Sequence, residues 1–168
     1  MIHVYTGNGK GKTTAALGLI IRALGNGLKV CLIQFMKKNC TYGEIIFLKD
    51  MENIDIFQYG TDRLIDPEKP EEIDFREAES ARAQAEQVLS SGQYDLIVLD
   101  EINVAVKWNL LSLKQQLDLT EISGSSELVM TGRYAASEIV VRADLVTEML
   151  EIKHYFTQNI TARKGIEY

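Results

Sequence analysis

The sequence predicts an α/β protein in which a mostly parallel sheet carries helices on both faces. Two observations support this class. Short apolar runs typical of buried strands alternate with longer segments whose apolar residues recur at helical spacing. A glycine-rich stretch also follows the first predicted strand and opens the first predicted helix. With 168 residues and no repeat or linker, the chain is expected to form a single domain over residues 1–168.

Six segments have the composition of strands. "IHVYTG" at residues 2–7 and "DLIVLDE" at residues 95–101 are short and largely apolar, which is typical of buried strands of a parallel sheet, and the second has acids at its C-terminal end. The other predicted strands are 29–36, 54–60, 127–133 and 145–153. In such sheets ligands bind at the carboxyl ends of the strands, so the polar residues at those ends are the first candidates for a site.

Helices are predicted between the strands. Residues 12–24 have a helical apolar pattern, and Gly25 is placed as the left-handed residue at the helix end. Residues 71–91 are rich in Ala, Glu, Arg and Gln and are expected to end near Gly92. The remaining helices are predicted at 42–51, at 103–119 with a break near Asn109, and at 136–143.

Two stretches are predicted to be irregular. Residues 61–72 contain both prolines and many charges, and we expect a mobile loop there. The C-terminal "ARKGIEY" is polar and without periodicity. Neither stretch is therefore expected to join the sheet.

Composition and charge exclude several classes of protein. There are 18 Lys and Arg against 24 Asp and Glu, a net charge of -6, which argues against nucleic acid as the main partner. The two cysteines form no disulfide framework or zinc motif; Cys31 is expected to be buried and Cys40 to be a free thiol. No signal peptide is recognised, and no apolar run reaches the roughly 20 residues of a membrane span. A cytoplasmic protein is expected.

"GNGKGKTT" at residues 7–14 has the features of a phosphate-binding loop, and it predicts a P-loop NTPase-like, RecA-like sheet. Glycines let successive N–H groups point at phosphate oxygens, and the new helix adds the positive end of its dipole. A lysine and a threonine hydroxyl follow, for the phosphates and for Mg²⁺. Thr6 stands where the usual pattern has its first glycine. The residues expected to contact the phosphates of a nucleotide are Gly7, Asn8, Gly9, Lys10, Gly11, Lys12, Thr13 and Thr14.

Three further residues are expected at the same edge of the sheet. Asp100 and Glu101 end the 95–101 strand, and one of them should face the metal, directly or through water. Arg133 ends the 127–133 strand, where its guanidinium could form paired hydrogen bonds to phosphate oxygens.

At this point the motifs match a family. "YTGNGKGKTTAALG" with "RALGNG", "VCLIQFMK", "YDLIVLDEIN", "VMTGR", "ADLVTEM", "KH" at 153–154 and the terminal "RKGIEY" occur in order along the chain. In these stretches the chain resembles the P-loop type of ATP:corrinoid adenosyltransferase, which makes adenosylcobalamin. The threonine before the first loop glycine is itself a feature of that family.

The resemblance implies an adenosyl transfer rather than a phosphoryl transfer. The Co(I) of a reduced corrinoid attacks the 5′ carbon of ATP and triphosphate leaves, held with its γ-phosphate deep in the loop. Carried over, Gly7 to Thr13 cradle the triphosphate, Lys12 and Arg133 are the catalytic residues, and Thr13 with Glu101 holds Mg²⁺, with Mn²⁺ as an alternative. A flavoprotein reductant and a homodimer are also implied as partners, with no nucleic acid or membrane.

The sequence departs from the family in two places. Better-known members have an N-terminal extension over the active site that is not seen here, so closure is expected to come from elsewhere or to be incomplete. One branch has a Phe-x-Trp pair after the third strand, where this chain has "YGTDRLIDPEKP" with Tyr59, Leu64 and Ile65 as its bulky apolar residues. Trp108 is expected in the core, and His154 has no assigned role.

Two alternatives stay open. One is a P-loop NTPase or small-molecule kinase, which would release phosphate or transfer it instead of releasing triphosphate. The other is a non-catalytic ATP-binding module that has lost the corrinoid site, which would bind ATP tightly and no corrinoid.

Overall fold

A computed structural model, which describes residues 1–38 and 42–167, contains a six-stranded sheet in the order β3-β2-β4-β5-β1-β6. Every strand pairing in the described ranges is parallel. The strands are β1 Ile2–Thr6, β2 Val30–Gln34, β3 Ile54–Gln58, β4 Leu96–Asp100, β5 Glu127–Thr131 and β6 Leu145–Glu148. All six predicted strands are confirmed, with shorter ends. Cys40 lies outside the described residues.

Helices follow the strands as predicted. They are α1 Lys12–Gly25, α2 Gly43–Leu48, α3 Glu72–Ser91, α4 Ile102–Lys107, α5 Leu113–Glu121 and α6 Ser137–Arg142, with a short 3₁₀ helix at Tyr155–Gln158. The break expected near Asn109 separates α4 from α5, and Asn109 has a positive φ of 57°. Residues 61–71 contain no helix or strand, as predicted, and their mobility stays a prediction.

The sheet is covered on both faces, which confirms the α/β class and is consistent with a P-loop NTPase-like fold. Alternate residues of the buried strand β2 show this directly. Val30 and Leu32 pack in a cluster with α1 and α2, whereas Cys31 and Ile33 pack in a cluster with α3, α4, α5 and α6. In the sheet centre Val98 aligns with Leu32 of β2 and with Val129 of β5. Such double burial explains the unbroken apolar runs.

Two predicted boundaries are wrong. Gly25 is the last residue of α1, and the left-handed residue is Gly27, with φ 74°. Strand β6 ends at Glu148 rather than at residue 153, because the chain then turns across the glycine-rich loop. The Met149 N–H donates to the Thr6 carbonyl, and the Met149 carbonyl accepts from the Gly9 N–H at 2.7 Å.

No helix in the described part of the chain is long and apolar enough to cross a bilayer. The loops after β1, β4 and β5 emerge at one edge of the sheet, because parallel strands end on the same side. The candidate residues from three distant parts of the sequence therefore meet there.

Candidate active site

The glycine-rich loop connects β1 to α1, and its backbone has conformations that require glycine. Gly7 and Gly11 have φ values of 92° and 118°, which other residues rarely adopt. Gly9 is needed for space instead, because a Cβ there would lie 2.7 Å from the Leu150 carbonyl oxygen. No side chain caps the start of α1, so its first N–H groups are available to an anion.

Lys12 lies inside the loop. Its Nζ donates to the Gly7 carbonyl at 2.8 Å and to the Gly9 carbonyl at 2.6 Å, and the residue is 7% exposed. Burial lowers the pKa of the Lys12 ammonium, and the nearby Glu101 carboxylate partly offsets that effect. The loop therefore holds a positive charge at its centre, fixed by the carbonyls of its own glycines.

Asp100 is fully buried at the end of β4, and its two oxygens accept four hydrogen bonds. Oδ1 accepts from the Thr13 hydroxyl at 2.9 Å and from the Thr131 hydroxyl at 2.7 Å. Oδ2 accepts from the Gln34 amide at 3.0 Å and from Lys37 Nζ at 2.8 Å. Burial alone would raise the pKa of Asp100, but the charge of Lys37 and the hydrogen bonds from Lys37, Thr131 and Thr13 outweigh it and hold the pKa below its ordinary value. Asp100 is thus an anionic acceptor that orients the Thr13 hydroxyl.

Glu101 has a different environment from its neighbour. It precedes α4 with a left-handed backbone, φ 67°, and its N–H donates to the Thr131 hydroxyl at 3.0 Å. Burial, and then the adjacent Asp100, raise the pKa of Glu101. Its side chain lines a cavity of about 520 Å³ in front of the loop. Of the two acids, Glu101 is the one that borders open space.

Arg133 reaches the same cavity from the loop after β5. The preceding Gly132 has φ 126°, and a Cβ on it would lie 3.1 Å from that of Asn103. The Asn103 amide donates to the Gly132 carbonyl at 3.3 Å, and the buried Gln116 donates to Asn103 at 2.8 Å. This buried polar chain fixes the turn that presents the exposed Arg133 side chain.

The structure brings most of the predicted site residues to one cavity. Its wall includes Gly9, Lys10, Gly11, Lys12, Thr13, Thr14, Glu101 and Arg133. Gly7, Asn8 and Asp100 do not line it. Gly7 is covered by the backbone of Met149, and Asp100 lies behind Thr13.

The oxygen atoms at the cavity wall have the chemistry that Mg²⁺ prefers. Among the described residues no group of three or more His, Cys, Asp and Glu side chains could hold a metal ion alone. A nucleotide-bound Mg²⁺ needs one or two protein oxygen ligands, since phosphates and water supply the others. The Thr13 hydroxyl donates a hydrogen bond to Asp100, so the lone pairs of its oxygen remain available to a metal ion. Glu101 adds a carboxylate at the cavity wall. These residues fit Mg²⁺ that arrives with a nucleotide.

Comparison with known proteins decides the family. The sequence model described as ATP:corrinoid adenosyltransferase BtuR/CobO/CobP matches residues 1–168. This chain belongs to the ATP:corrinoid adenosyltransferase family. The family resemblance seen in the motifs is thereby confirmed over the whole chain, and the class of enzyme is a transferase.

Several relatives are named corrinoid adenosyltransferases. The corrinoid adenosyltransferase of Pseudomonas aeruginosa is 36% identical over 169 residues, which cover 100% of this chain and 83% of the relative. That of Escherichia coli K12 is 33% identical and the match covers 85% of it. The corrinoid adenosyltransferase CobA of Salmonella typhimurium is also 33% identical, again with 85% of its length covered.

Two parts of the site were missed by sequence reasoning. The C-terminal segment (residues 154–167) lies against the loop: Lys10 Nζ donates to the Ile166 carbonyl at 3.2 Å, and Tyr155 and Phe156 line the cavity. Trp108 packs partly against the core, as predicted, but it also lines the cavity. The "KH" and "RKGIEY" stretches, which match the family, were the sequence signal that could have placed this segment at the site. His154 accepts from the Phe156 N–H at 3.1 Å and caps the 3₁₀ helix.

The loop after β3, where the family's aromatic pair was missing, offers one free apolar side chain. Leu64 is 96% exposed, whereas Tyr59 and Ile65 pack against the core. Arg63 is held by Asp74 at 2.6 Å. Of the three bulky candidates in this loop, Leu64 is thus the one available to a ligand.

Proposed function

We propose that this protein transfers the 5′-deoxyadenosyl group of ATP to the Co(I) of a reduced corrinoid and releases triphosphate, in the biosynthesis or salvage of adenosylcobalamin. The observation that carries the proposal is the convergence of Lys12, Thr13, Glu101 and Arg133 on one cavity beside free helix N–H groups. This set of groups is suited to binding a polyphosphate, and the chain belongs to the corrinoid adenosyltransferase family.

The reaction balances without a protein nucleophile. A bond forms between cobalt and the 5′ carbon, the bond between that carbon and the triphosphate oxygen breaks, and its electron pair leaves with triphosphate. The cobalt of the substrate is the nucleophile, so no general base is required. The demand on the protein is to stabilise the charge of the leaving group.

Each of these four residues then has a role in holding that leaving group. The loop amides and Lys12 bind the phosphates, and Arg133 adds a guanidinium suited to paired hydrogen bonds. Thr13 and Glu101 would hold Mg²⁺, which neutralises phosphate charge when bound. Asp100 orients the Thr13 hydroxyl. The γ-phosphate would lie deep in the loop, as the family resemblance implies.

An assay with chemically reduced cobalamin, ATP and Mg²⁺ tests the proposal through the visible spectrum of the corrinoid. We expect conversion to the spectrum of a cobalt–carbon adduct. Lys12→Ala should lower the rate by about 10²–10³-fold, as loss of one preorganised charge does elsewhere. Lys29→Ala is the matched control, since Lys29 lies before β2 at the opposite edge of the sheet and its loss should leave the rate unchanged.

Different results would favour the alternatives. Release of inorganic phosphate without spectral change would indicate an NTPase or kinase. Tight ATP binding without corrinoid binding would indicate a non-catalytic module. A homodimer, a flavoprotein reductant and a cytoplasmic location stay predictions.

A further inference from the structure

Thr131, the last residue of β5, connects the two neighbouring acids at the end of β4. Its hydroxyl donates to Asp100 Oδ1 at 2.7 Å and accepts from the Glu101 N–H at 3.0 Å. The residue is fully buried. A hydroxyl has one proton to donate and lone pairs that accept, so it can make both contacts at once. One side chain of the neighbouring strand therefore contacts both acids.

The backbone of Glu101 has a conformation that needs support. Its φ of 67° lies in the left-handed region, which residues other than glycine adopt at a cost in energy. Such a conformation persists where the surrounding structure holds it. The Glu101 carbonyl accepts from the N–H groups of Val104 and Ala105, at 3.2 Å each, and the Glu101 N–H donates to Thr131. Helix α4 thus holds one side of this turn, and Thr131 holds the other.

This turn decides where the Glu101 carboxylate points. Consecutive side chains of a strand face opposite sides of the sheet, so a continued β4 would direct Glu101 away from the side that Asp100 faces. The left-handed turn instead places Glu101 in the wall of the cavity that Thr13 also lines. Among the residues that the structure describes, no side chain donates a hydrogen bond to the Glu101 carboxylate. Its direction therefore depends on the backbone of the turn.

The pairing of β4 with β5 ends before this turn, at Leu99 and Met130. Beyond that pair, side chains connect the turns that follow the two strands. Thr131 reaches the turn after β4, and in the opposite direction the Asn103 amide donates to the Gly132 carbonyl at 3.3 Å. The position of the turn after β4 relative to β5 thus depends on these two side chains.

We infer that Thr131 is a positioning residue for Mg²⁺ binding: its hydroxyl holds Glu101 in the left-handed turn from which the carboxylate reaches a nucleotide-bound metal ion. The inference rests on the proposed function only in taking Glu101 as a ligand of Mg²⁺ that arrives with ATP. Replacing a residue that orients a metal ligand typically lowers metal affinity or activity by about 10- to 100-fold. Thr131 lies behind Glu101 and acts through it.

Calorimetry of ATP binding, with Mg²⁺ and with EDTA, tests this role in the absence of corrinoid. The ratio of the two affinities measures what the metal adds. Thr131→Val replaces the hydroxyl by a methyl group of similar size, and we expect it to lower that ratio about 10- to 100-fold while the affinity in EDTA stays nearly unchanged. Thr131→Ser keeps the hydroxyl and should retain most of the ratio. An unchanged ratio in Thr131→Val, or an equal loss of affinity with and without Mg²⁺, would overturn the inference.

Thr120→Val is the matched control. Thr120 is also buried, its hydroxyl donates within α5 to the Leu117 carbonyl at 2.6 Å, and it does not line the cavity. Its replacement removes a buried hydroxyl away from the site and should leave the ratio unchanged. If Thr131→Val does not fold, Thr131→Ala and Thr131→Ser form a second pair that differs by one hydroxyl, and only the alanine variant should lower the ratio.

Two further measurements separate positioning from a general structural role. In a Glu101→Ala background, Thr131→Val should lower the ratio little further, because Thr131 acts through Glu101. In metal-free protein, the Glu101 amide should exchange its hydrogen faster in Thr131→Val, measured by NMR, because its N–H has lost its acceptor. Additive losses in the double variant, or unchanged exchange at Glu101, would contradict the positioning role.

The outcomes separate this inference from the proposed function. If the unmodified protein binds ATP more tightly with Mg²⁺ but forms no adenosylated corrinoid, the proposed function fails, and a lowered ratio in Thr131→Val still supports the positioning role. If adenosylation proceeds and Thr131→Val lowers the ratio no more than Thr120→Val does, the positioning role is wrong and the proposed function stands. The role is also wrong if Mg²⁺ adds nothing to the ATP affinity of the unmodified protein.

Discussion

Replacing Asp100 with alanine should strongly destabilise the protein, because Asp100 joins three parts of the site. The substitution removes the acceptor of four hydrogen bonds, from Gln34, Lys37, Thr13 and Thr131. Removing one partner of a buried ion pair costs about 3–5 kcal/mol. We expect the lower part of that range, because the Lys37 side chain is 23% exposed and its ammonium can recover some hydration.

Urea unfolding followed by circular dichroism measures this effect as a change in the free energy of unfolding. The control is Asp118→Ala, since Asp118 pairs with Lys114 at 2.6 Å on the surface of α5 and such a pair contributes about 0.3–0.5 kcal/mol. Lys37→Met combined with Asp100→Ala should cost less than the sum of the two single changes, by about 1–3 kcal/mol. A cost below about 1 kcal/mol for Asp100→Ala, or strict additivity, would refute this account of the network.

Three other expectations concern the loop, the leaving group and a buried thiol. Gly9→Ala should destabilise the protein by about 1–3 kcal/mol in urea, because its Cβ would meet the backbone of residues 149–150. Gly18→Ala should stabilise the protein by about 0.5–1 kcal/mol, because Gly18 lies inside α1 and a Cβ there would have open space. A Gly9→Ala protein more stable than the Gly18→Ala protein would contradict these contacts. Arg133→Ala should lower kcat in the adenosylation assay by about 10²–10³-fold while ATP stays bound, and a change below about threefold would remove its role. Burial raises the pKa of Cys31 to about 12. Above about pH 8.5 the thiol of the unfolded chain ionises, whereas the thiol of the native protein stays neutral. The free energy of unfolding should therefore fall with rising pH between about 8.5 and 12, by up to about 1.4 kcal/mol per unit, and Cys31→Ala should show less of this fall.

Patterns that are local in the sequence predicted most of the fold. The strands β2 and β4 are buried on both faces, so their apolar runs are continuous and easy to recognise. The loop was predictable because Gly7 to Thr14 are consecutive and each residue type has a separate physical reason. Helix ends were harder to predict, since both Gly25 and Gly27 could take the left-handed position, and the structure has Gly27 in it.

Contacts between distant segments explain what was missed. The end of β6 depends on the backbone of Met149 fitting against Gly7 and Gly9, which no local pattern records. The place of Phe156 depends on the C-terminal segment returning to a loop near residue 10. Trp108 looked like a core residue because an aromatic residue next to an apolar helix usually is one. The acids were predicted together, but only the fold separates the fully buried Asp100 from Glu101 at the cavity wall.

In the proposed reaction the loop keeps the triphosphate while the adenosyl group leaves. A single-turnover reaction of the protein with ATP, Mg²⁺ and chemically reduced cobalamin tests it, with phosphate products separated by anion exchange and adenosylated corrinoid measured by its spectrum. We expect equal amounts of triphosphate and adenosylated corrinoid. Inorganic phosphate or diphosphate as the first product, without a cobalt–carbon bond, would contradict it.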